Sequence, residues 1–241
     1  MIILTTNNNV ATLSSDHVMK ENVIVKAYGL KYVVDKGSKF IVEESYEPFM
    51  RRVVKLQAGD VFVDVGAHVG KYSFYAAKQV GDSGLVIAIE PHPKNVENLK
   101  KGIELNGFRN IRVVQKACSD HSGKAFLLEY ELSARHELTD KPTRMMVEVD
   151  TLDCIVQSFG VNKVDMVKID VNGHEYHVLE GAVSMLESYR PTILIEVSLE
   201  NKQRIFSFLE KLGYEARIIN KEKRYIDVLF KQSSKCRGNI L

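Results

Sequence analysis

Cysteine is scarce in this sequence, and neither sign of charge dominates. The three cysteines, Cys118, Cys154 and Cys236, are odd in number and widely spaced. No pair has the spacing of a zinc-binding or redox motif, so we expect buried or free thiols. The 33 basic residues nearly balance the 31 acidic ones, which leaves a net charge of +2. This balance gives no electrostatic reason to expect a dedicated nucleic-acid-binding surface.

Long hydrophobic runs are also missing. No stretch approaches the ~18 consecutive apolar residues of a membrane-spanning helix. Residues 1–4 are apolar but the sequence then turns polar at once, so no secretory signal is expected. We therefore expect a cytoplasmic protein with no membrane partner. What the chain does have is 45% hydrophobic residues over 241 positions, enough for one substantial core, without an internal repeat or a linker between domains.

The central motif of the chain is a strand followed by a glycine turn and a helix. Residues 61–65 are apolar and mostly β-branched apart from Asp64, which is typical of a buried strand. Gly66 and Gly70 bracket a tight turn, and residues 71–78 are predicted to be helical. This geometry lets a ligand approach the backbone beside a helix N-terminus, and Gly66 is expected to keep a side chain out of the ligand's path. Glycines of a β–α turn can also serve turn geometry alone.

A second predicted strand ends in another acid. Residues 85–89 are apolar and are followed by Glu90, which lies 26 positions after Asp64. This is close to the spacing of about 20 residues at which an acid on the neighbouring strand holds a ribose diol. The two oxygens of a carboxylate can accept hydrogen bonds from two vicinal hydroxyls. The glycine turn and Glu90 together therefore predict an adenosine-type ligand.

Acidic residues recur at one level of the predicted sheet. Alternating strands and helices predict a doubly wound α/β fold, whose ligands bind at the carboxyl ends of the strands. Five acidic residues fall at such ends or just beyond them: Asp64, Glu90, Asp120, Asp170 and Glu196. Their recurrence predicts one site at one edge of the sheet.

Three segments resemble a known family. Residues 59–67 (GDVFVDVGA), 89–95 (IEPHPKN) and 168–175 (KIDVNGHE) strongly resemble the FkbM family of S-adenosylmethionine-dependent methyltransferases. The resemblance covers the chain from about residue 40 to residue 200, and the order of the separate motifs makes it specific. It implies a class I methyltransferase fold, which is Rossmann-like with a seven-stranded, mostly parallel sheet and helices on both faces. It also implies S-adenosyl-L-methionine as the cofactor.

The motifs and the resemblance together predict the residues that contact the cofactor. The resemblance implies that the segment after the third strand meets the adenine ring. The full predicted set is Asp64, Gly66, Ala67, Gly70, Glu90, Pro91, Ala117, Cys118, Asp120 and Asp170. For Asp120, a plain turn is an equal alternative. Glu47 belongs to a glutamate–proline pair that resembles the family, and it lies either near the methionine end of the donor or in solvent at a helix start.

Methyl transfer to an alcohol requires donor and acceptor to be close and collinear, and a base assists by removing the hydroxyl proton. The predicted catalytic residues are, in order, Asp170, His174 and Glu175. The family usually has a glutamate where this chain has Asn172, and a small residue at His174. The choice of base therefore stays open, and a surface histidine is the alternative for His174. A cation held by Asp170, His174, Glu175 and Glu196 is a further alternative, but the spacing does not demand one and no metal is predicted.

The chain is predicted to have two parts. Residues 1–45 are predicted to form accessory antiparallel strands, and residues 46–241 the methyltransferase domain. The accessory strands, near 23–25, 31–34 and 40–42, serve either as a substrate lid or as a cover over the core.

Helical periodicity predicts helices over 46–56 and 175–186. An inserted hairpin is predicted over 124–149. Its polar connection, 131–143, contains Arg135, His136, Asp140 and Arg144, and it is either a mobile lid or recognition loop or a solvated loop.

The predicted function is O-methylation of a hydroxyl group on a small molecule or glycan. An RNA or protein methyltransferase on the same fold is the first alternative. The chain has no Asn-Pro-Pro-Tyr-like segment after the fourth strand, which disfavours methylation of base amino groups. A non-catalytic nucleotide-binding protein is the second alternative, and Asn172 is the residue that keeps it open.

Overall fold

The computed structural model describes residues 21–130 and 133–233. The polar sequence predicts a loop or loosely attached edge over 1–20 and a frayed tail over 231–241. Residues 1–20 and most of this tail, with Cys236, lie outside the described residues. The strands, in chain order, are β1 (Asn22–Ala27), β2 (Leu30–Asp35), β3 (Val61–Val65), β4 (Leu85–Ile89), β5 (Ile111–Val114), β6 (Ala117–Ser119), β7 (Gly123–Leu128), β8 (Glu137–Thr139), β9 (Met145–Thr151), β10 (Met166–Ile169), β11 (Thr192–Ser198), β12 (Tyr214–Lys221) and β13 (Tyr225–Gln232).

The α-helices of the described residues fill the connections between these strands. They are α1 (Met50–Val53), α2 (Lys71–Val80), α3 (Pro93–Asn106), α4 (Leu152–Ser158), α5 (Glu175–Glu180), α6 (Val183–Tyr189) and α7 (Lys202–Lys211). Within the part of the chain that the structure describes, no helix has the length and apolar character needed to cross a bilayer.

The central sheet has seven strands in the order β12-β13-β11-β10-β3-β4-β5. The five strands from β11 to β5 run parallel, while β13 is antiparallel to β11 and to β12. Strand β3 is buried throughout, as expected for apolar strands that are covered on both faces. A separate buried cluster lies on each face of the sheet. The predicted seven-stranded, mostly parallel architecture is confirmed.

The N-terminal hairpin covers part of this core. Strands β1 and β2 pair antiparallel as a two-stranded sheet of their own, as predicted. Tyr32 on β2 is fully buried, and its ring stacks on that of Phe74 with 5.3 Å between centroids. The prediction of a strand at 40–42 is wrong, because a 3-10 helix spans Lys36–Val42. At the start of this helix the Asp35 carboxylate accepts a hydrogen bond from the backbone N–H of Ser38.

Two predicted helices differ from the structure. The helix expected over 46–56 is reduced to α1, because the chain before it turns sharply and Glu47 takes a left-handed φ of 52°. The helix expected over 175–186 is divided into α5 and α6 at Gly181. A Cβ at Gly181 would lie 2.0 Å from the carbonyl oxygen of Ser119, so the backbone of this segment rests directly on β6.

The predicted hairpin over 124–149 is present as β7 and β9, which pair antiparallel. Strands β6 and β8 extend it into a four-stranded sheet with the order β6-β9-β7-β8. This second sheet, called the insertion sheet below, stands beside the ends of the parallel strands.

Candidate active site

A cavity of about 700 Å³ lies at the carboxyl ends of the parallel strands. Its walls come from the ends of β3, β4, β10 and β11, from the segment before α1, from the insertion sheet and from the β12–β13 turn. This is the edge at which open α/β sheets bind ligands. Most of the sequence-predicted site residues line it: Gly66, Ala67, Glu90, Pro91, Ala117, Cys118, Asp170 and His174. Four others do not: Asp64, Gly70, Asp120 and Glu175.

Glu90 is held rigidly on the cavity wall. Its Oε2 accepts a hydrogen bond from the backbone N–H of His68 at 2.9 Å, and its Oε1 accepts from the backbone N–H of His92 at 3.0 Å and from Asn95 Nδ2 at 3.1 Å. Burial raises the pKa of the carboxyl group, and these donors oppose that rise. A carboxylate offers about four lone-pair sites, so capacity remains for a hydroxyl donor from the cavity. The residue fits a ribose diol.

Gly66 is required by the fold. Its φ is +77°, and a Cβ there would lie 1.9 Å from the carbonyl oxygen of Asp170. The backbone just after β10 occupies the space that a Gly66 side chain would need, while Gly66 itself lines the cavity, so its contact with the cofactor stays a prediction. Gly70, with φ +93°, begins α2, and a Cβ there would lie 2.6 Å from both Leu99 and Phe74. It permits close helix packing and does not line the cavity.

Lys168 connects the buried Asp64 to the cavity. The Lys168 Nζ donates to the carbonyl oxygen of Gly66 at 3.0 Å and lies 3.6 Å from Asp64 Oδ1 and 3.4 Å from Asp170 Oδ2. Ser73 Oγ donates to the other Asp64 oxygen at 2.6 Å. Burial alone would lower the pKa of Lys168, but Asp170 and Asp64 outweigh burial and raise it. Asp64 thus acts on the cavity only through this ammonium.

Three carboxyl groups lie in a row across the ends of β10, β11 and β13. Asp170 follows Ile169, which pairs with Ile195, so Asp170 and Glu196 lie side by side at the ends of β10 and β11. Asp227 on β13 is the cross-strand partner of Glu196. Burial, followed by Asp170 and Asp227, raises the pKa of Glu196 to about 9. Burial also raises the pKa of Asp227 to about 7, against a hydrogen bond from Asn220.

Sequence reasoning missed two residues opposite this row. Lys71 Nζ donates to the carbonyl oxygen of Tyr46 and pairs with Glu47 Oε2 at 3.1 Å, while Tyr72 Oη donates to Glu47 Oε1 at 3.2 Å. Lys71 and Tyr72 both line the cavity, and Lys71 is buried. A lysine in the first turn of a helix is unfavourable, because the positive end of the helix dipole repels it. Such a lysine therefore indicates a nearby acidic partner, here Glu47.

His174 and Glu175 have different surroundings. His174 Nε2 lies 2.9 Å from Ser119 Oγ, and burial, then the neighbouring His177, lowers the pKa of the imidazole to about 4. His174 is therefore neutral at physiological pH. The Glu175 carboxylate accepts from the backbone N–H of Gly173 and, at 3.4 Å, from Asn201 Nδ2, away from the cavity. It holds the start of α5.

Asp120 lies outside the cavity. Its carboxylate contacts His121 Nδ1 at 2.6 Å and His177 Nδ1 at 3.1 Å, and the hydrogen bond to His121 does most to lower its pKa. In residues 21–130 and 133–233, the only group with metal-ligand spacing is Asp120, His177 and Glu180. The alternative metal set of Asp170, His174, Glu175 and Glu196 does not come together.

The insertion sheet is tied to the cavity by Asn172. This residue has a left-handed φ of 52°, which asparagine tolerates better than most residues. Its Nδ2 donates to the carbonyl oxygens of Ala134 and His136 at 3.0 and 3.1 Å. A glutamate could not donate these bonds, so the departure from the family pattern has a structural cause. Arg135 and His136, which belong to the connection predicted as a lid, recognition loop or solvated loop, line the cavity beside this contact.

The end of the cavity at Glu90, away from the row of carboxyl groups, is apolar and contains a thiol. Ala117 and Cys118 on β6 and Leu127 on β7 line this end together with Glu90 and Pro91. Burial raises the pKa of the Cys118 thiol well above its ordinary value, so the sulfur stays protonated. A flat apolar wall beside a fixed carboxylate is the arrangement expected for a base and its ribose.

Comparison with known proteins agrees with this geometry. The family model for the methyltransferase FkbM domain matches residues 64–216. Hexuronic acid methyltransferase AglP from Haloferax volcanii is 25% identical over 171 residues, which cover 69% of each chain. Methyltransferase sdnD from Sordaria araneosa is 22% identical over 218 residues, covering 71% of this chain and 84% of that protein.

Solved structures share the fold. The methyltransferase FkbM from Methylobacillus flagellatus superposes with a TM-score of 0.54 at 16% identity over 74% of this chain, which spans 45% of the length of that protein. The precorrin-6y C5,15-methyltransferase from Geobacter metallireducens gives 0.54 at 15% identity, with 84% of this chain and 93% of that one covered. M. jannaschii TYW2, in complex with AdoMet, gives 0.50 at 18% identity, with 88% and 87% covered.

Proposed function

This chain belongs to the FkbM methyltransferase family, and from that premise we propose that it transfers a methyl group from S-adenosylmethionine to an oxygen of a small molecule or glycan, most simply a hydroxyl. The observation that carries the proposal is the cavity at the strand ends, with the fixed carboxylate of Glu90 on one side and the acidic row on the other. The chain is an S-adenosylmethionine-dependent methyltransferase. The acceptor and the roles of individual residues are what we propose.

The donor end of the cavity is assigned to the wall around Glu90. We assign the ribose to the Glu90 carboxylate, the adenine ring to the wall formed by Ala117, Cys118 and Leu127, and the methionine end to the side of Lys168 and Asp170. The donor supplies an electrophilic methyl group on a cationic sulfur. The carboxylates near Lys168 favour that positive charge, since they outnumber the ammonium groups at this end.

The acceptor end is assigned to the wall near the β12–β13 turn. Arg224 lies in this turn, Arg135 lines the cavity beside the Asn172 contact, and neither guanidinium forms an ion pair with another residue of the described chain. A guanidinium binds a carboxylate well, and the relative from H. volcanii is named for a hexuronic acid, which has both hydroxyl and carboxylate oxygens. A sugar acid is therefore a suitable first acceptor to test.

The function is tested by transfer of a labelled methyl group. The protein is incubated with methyl-labelled S-adenosylmethionine and with glucose, glucuronic acid or its methyl glycoside, and the product is treated with mild base. A methyl ether survives this treatment and supports hydroxyl methylation, whereas a methyl ester is hydrolysed and moves the reaction to the carboxylate. Transfer of the label to an amine or thiol offered in parallel, with none to these sugars, would overturn the oxygen assignment.

The ribose assignment is tested by Glu90→Ala. Loss of charge-assisted hydrogen bonds to the ribose should weaken donor binding by about 1.5–3 kcal/mol, which is about 10- to 150-fold in Kd by calorimetry. Glu97→Ala is the matched control, because Glu97 is an exposed glutamate of α3 that pairs only with Lys94 and Lys101. An unchanged Kd in Glu90→Ala would refute the assignment without touching the methyltransferase activity.

A further inference from the structure

The carboxyl group of Glu196 is partly buried and lies at the acceptor end of the cavity. It projects from the end of β11, lines the cavity, and lies between Asp170 on β10 and Asp227 on β13. Among residues 21–130 and 133–233, no side chain or backbone group gives it a hydrogen bond or an ion pair. A carboxyl group that lines a cavity beside two other carboxyl groups and has no fixed partner is a candidate for a functional role.

Apart from Glu222, which is exposed on the β12–β13 turn, the other carboxyl groups near the cavity are already engaged. Each has a fixed partner: Asp170 Oδ2 lies 3.4 Å from Lys168 Nζ, Glu47 Oε2 3.1 Å from Lys71 Nζ, and Asp227 Oδ2 3.2 Å from Asn220 Nδ2. Glu175 faces away from the cavity, and His174 is bonded to Ser119. A proton taken up by any of these groups would disrupt an existing contact. Glu196 has no such contact to lose.

We propose that Glu196 takes the hydroxyl proton of the acceptor during methyl transfer. The inference rests on the proposed O-methylation. The acceptor oxygen forms its bond to the methyl carbon while the carbon–sulfur bond breaks and leaves its electron pair on sulfur. The oxygen–hydrogen bond of the acceptor breaks at the same time, and the proton passes to a Glu196 oxygen. Charge is conserved, because a cationic sulfur and a carboxylate become a neutral thioether and a carboxylic acid.

The surroundings of Glu196 make it a strong proton acceptor. Carboxyl groups of Asp170, Asp227 and Glu47 face it from β10, β13 and the segment before α1, and the only ammonium among the groups that act on it is that of Lys168. The phenols of Tyr46 and Tyr225 lie at the same end. Burial and the neighbouring acids raise its pKa to about 9, so the carboxylate form becomes available as pH rises or as a cation is bound nearby.

Donor binding provides a test that needs no acceptor. If Glu196 lies beside the methyl group, its carboxylate attracts the cationic sulfur of S-adenosylmethionine but not the neutral sulfur of S-adenosylhomocysteine. The ratio of the two affinities should then rise by at least about tenfold between pH 6.5 and 9.5, since a neighbouring opposite charge changes proton binding by about ten- to a thousandfold. In Glu196→Gln this ratio should change much less with pH, and the response that remains belongs to Asp227, whose pKa burial raises to about 7.

Catalysis provides the second readout. With glucuronic acid as acceptor, Glu196→Gln should lower kcat by about 10²–10⁴-fold, the usual contribution of a general base. The Kd for the donor near pH 7 should remain within threefold of the wild-type value. At that pH the Glu196 carboxyl group is protonated, and the glutamine amide that replaces it is uncharged and similar in shape. Glu196→Asp should retain part of kcat and an increase of activity with pH. Glu200→Gln is the matched control, since Glu200 is exposed just after the same strand, and it should behave as wild type.

The outcomes separate the two proposals. A Glu196→Gln enzyme that keeps more than a third of wild-type kcat, or that shows the wild-type change of the affinity ratio with pH, would overturn the assignment of Glu196. If circular dichroism shows that Glu196→Gln does not fold, Glu196→Asp decides between the outcomes. A folded Asp variant with wild-type activity and no response of the affinity ratio to pH rejects the assignment. A reduced kcat with a retained pH response of the ratio supports it. A wild type that methylates no oxygen would refute the proposed function instead.

Discussion

At Gly66 the side chain is a hydrogen atom because the backbone of Asp170 fills the place where a methyl group would go. Gly66→Ala should therefore destabilise the protein by at least about 3 kcal/mol, the upper end of the overpacking range, since the obstacle is backbone. Gly173→Ala is the control: it has φ +95° but nothing within 4 Å of a Cβ, so it should lose only about 1–2 kcal/mol through backbone strain. Urea unfolding measures both, and equal losses would contradict the clash.

At the same scale, the sequence could locate site residues but not assign all their roles. Glu90 was predicted at the cavity because its strand and its spacing from the glycine turn are local features. Asp64 and Gly66 were predicted as direct contacts, yet their surroundings are set by β10, about a hundred residues later in the chain. Lys71 was missed since its partner Glu47 lies across an irregular turn that no periodicity describes.

Among the secondary-structure elements, the segment that leads into β8 of the insertion sheet is held by the side-chain amide of Asn172. Asn172→Asp keeps the tolerance for a left-handed backbone but replaces two N–H donations with a carboxylate facing two carbonyl oxygens. We expect faster amide hydrogen exchange over 133–139 and a raised KM for the acceptor, with donor affinity unchanged.

The control for this change is Asn162→Asp, which makes the same chemical substitution at an exposed position in the loop before β10. Exchange over 133–139 should stay at the wild-type rate in that variant. Unaltered exchange in Asn172→Asp as well would mean that the insertion sheet is held by its strand pairing alone.

Elements with strong periodicity were predicted correctly, and those shaped by distant contacts were not. The strands of the central sheet and the hairpin of β7 and β9 follow from apolar runs and alternation. The helix over 175–186 had good periodicity but divides at Gly181, where Ser119 of another element meets the backbone. In place of the predicted strand at 40–42, the structure has a 3-10 helix, which begins where the Asp35 carboxylate accepts a local hydrogen bond from the backbone.

For the whole molecule, the N-terminal hairpin is predicted to contribute stability rather than gating. Tyr32→Ala should cost about 3–5 kcal/mol of unfolding free energy, because it empties a fully buried site against Phe74. Tyr32→Phe should be nearly neutral, since the Tyr32 hydroxyl has no hydrogen-bond partner within the described residues. Donor and acceptor kinetics at 20 °C should match wild type in both. A selective change in acceptor KM would favour the lid interpretation instead.

The fold class could be predicted from the sequence, but the set of segments that form the cavity walls could not. Alternating elements dictate a doubly wound sheet and place its binding edge. The cavity walls, however, come from segments as far apart as residues 40 and 225, and their approach depends on tertiary packing. The division into residues 1–45 and 46–241 remains a proposal, because the hairpin shares its buried cluster with the central sheet.

The protonation states around the cavity also bear on self-damage. An enzyme that handles an electrophilic methyl group exposes its own nucleophiles to alkylation. Lys168 is held as an ammonium by two carboxylates and a carbonyl oxygen, so its nitrogen has no lone pair to offer. Cys118 is held as a thiol, whose nucleophilicity is far below that of a thiolate. The same burial and ion pairing that build the cavity thus keep these two groups from competing with the acceptor for the methyl group.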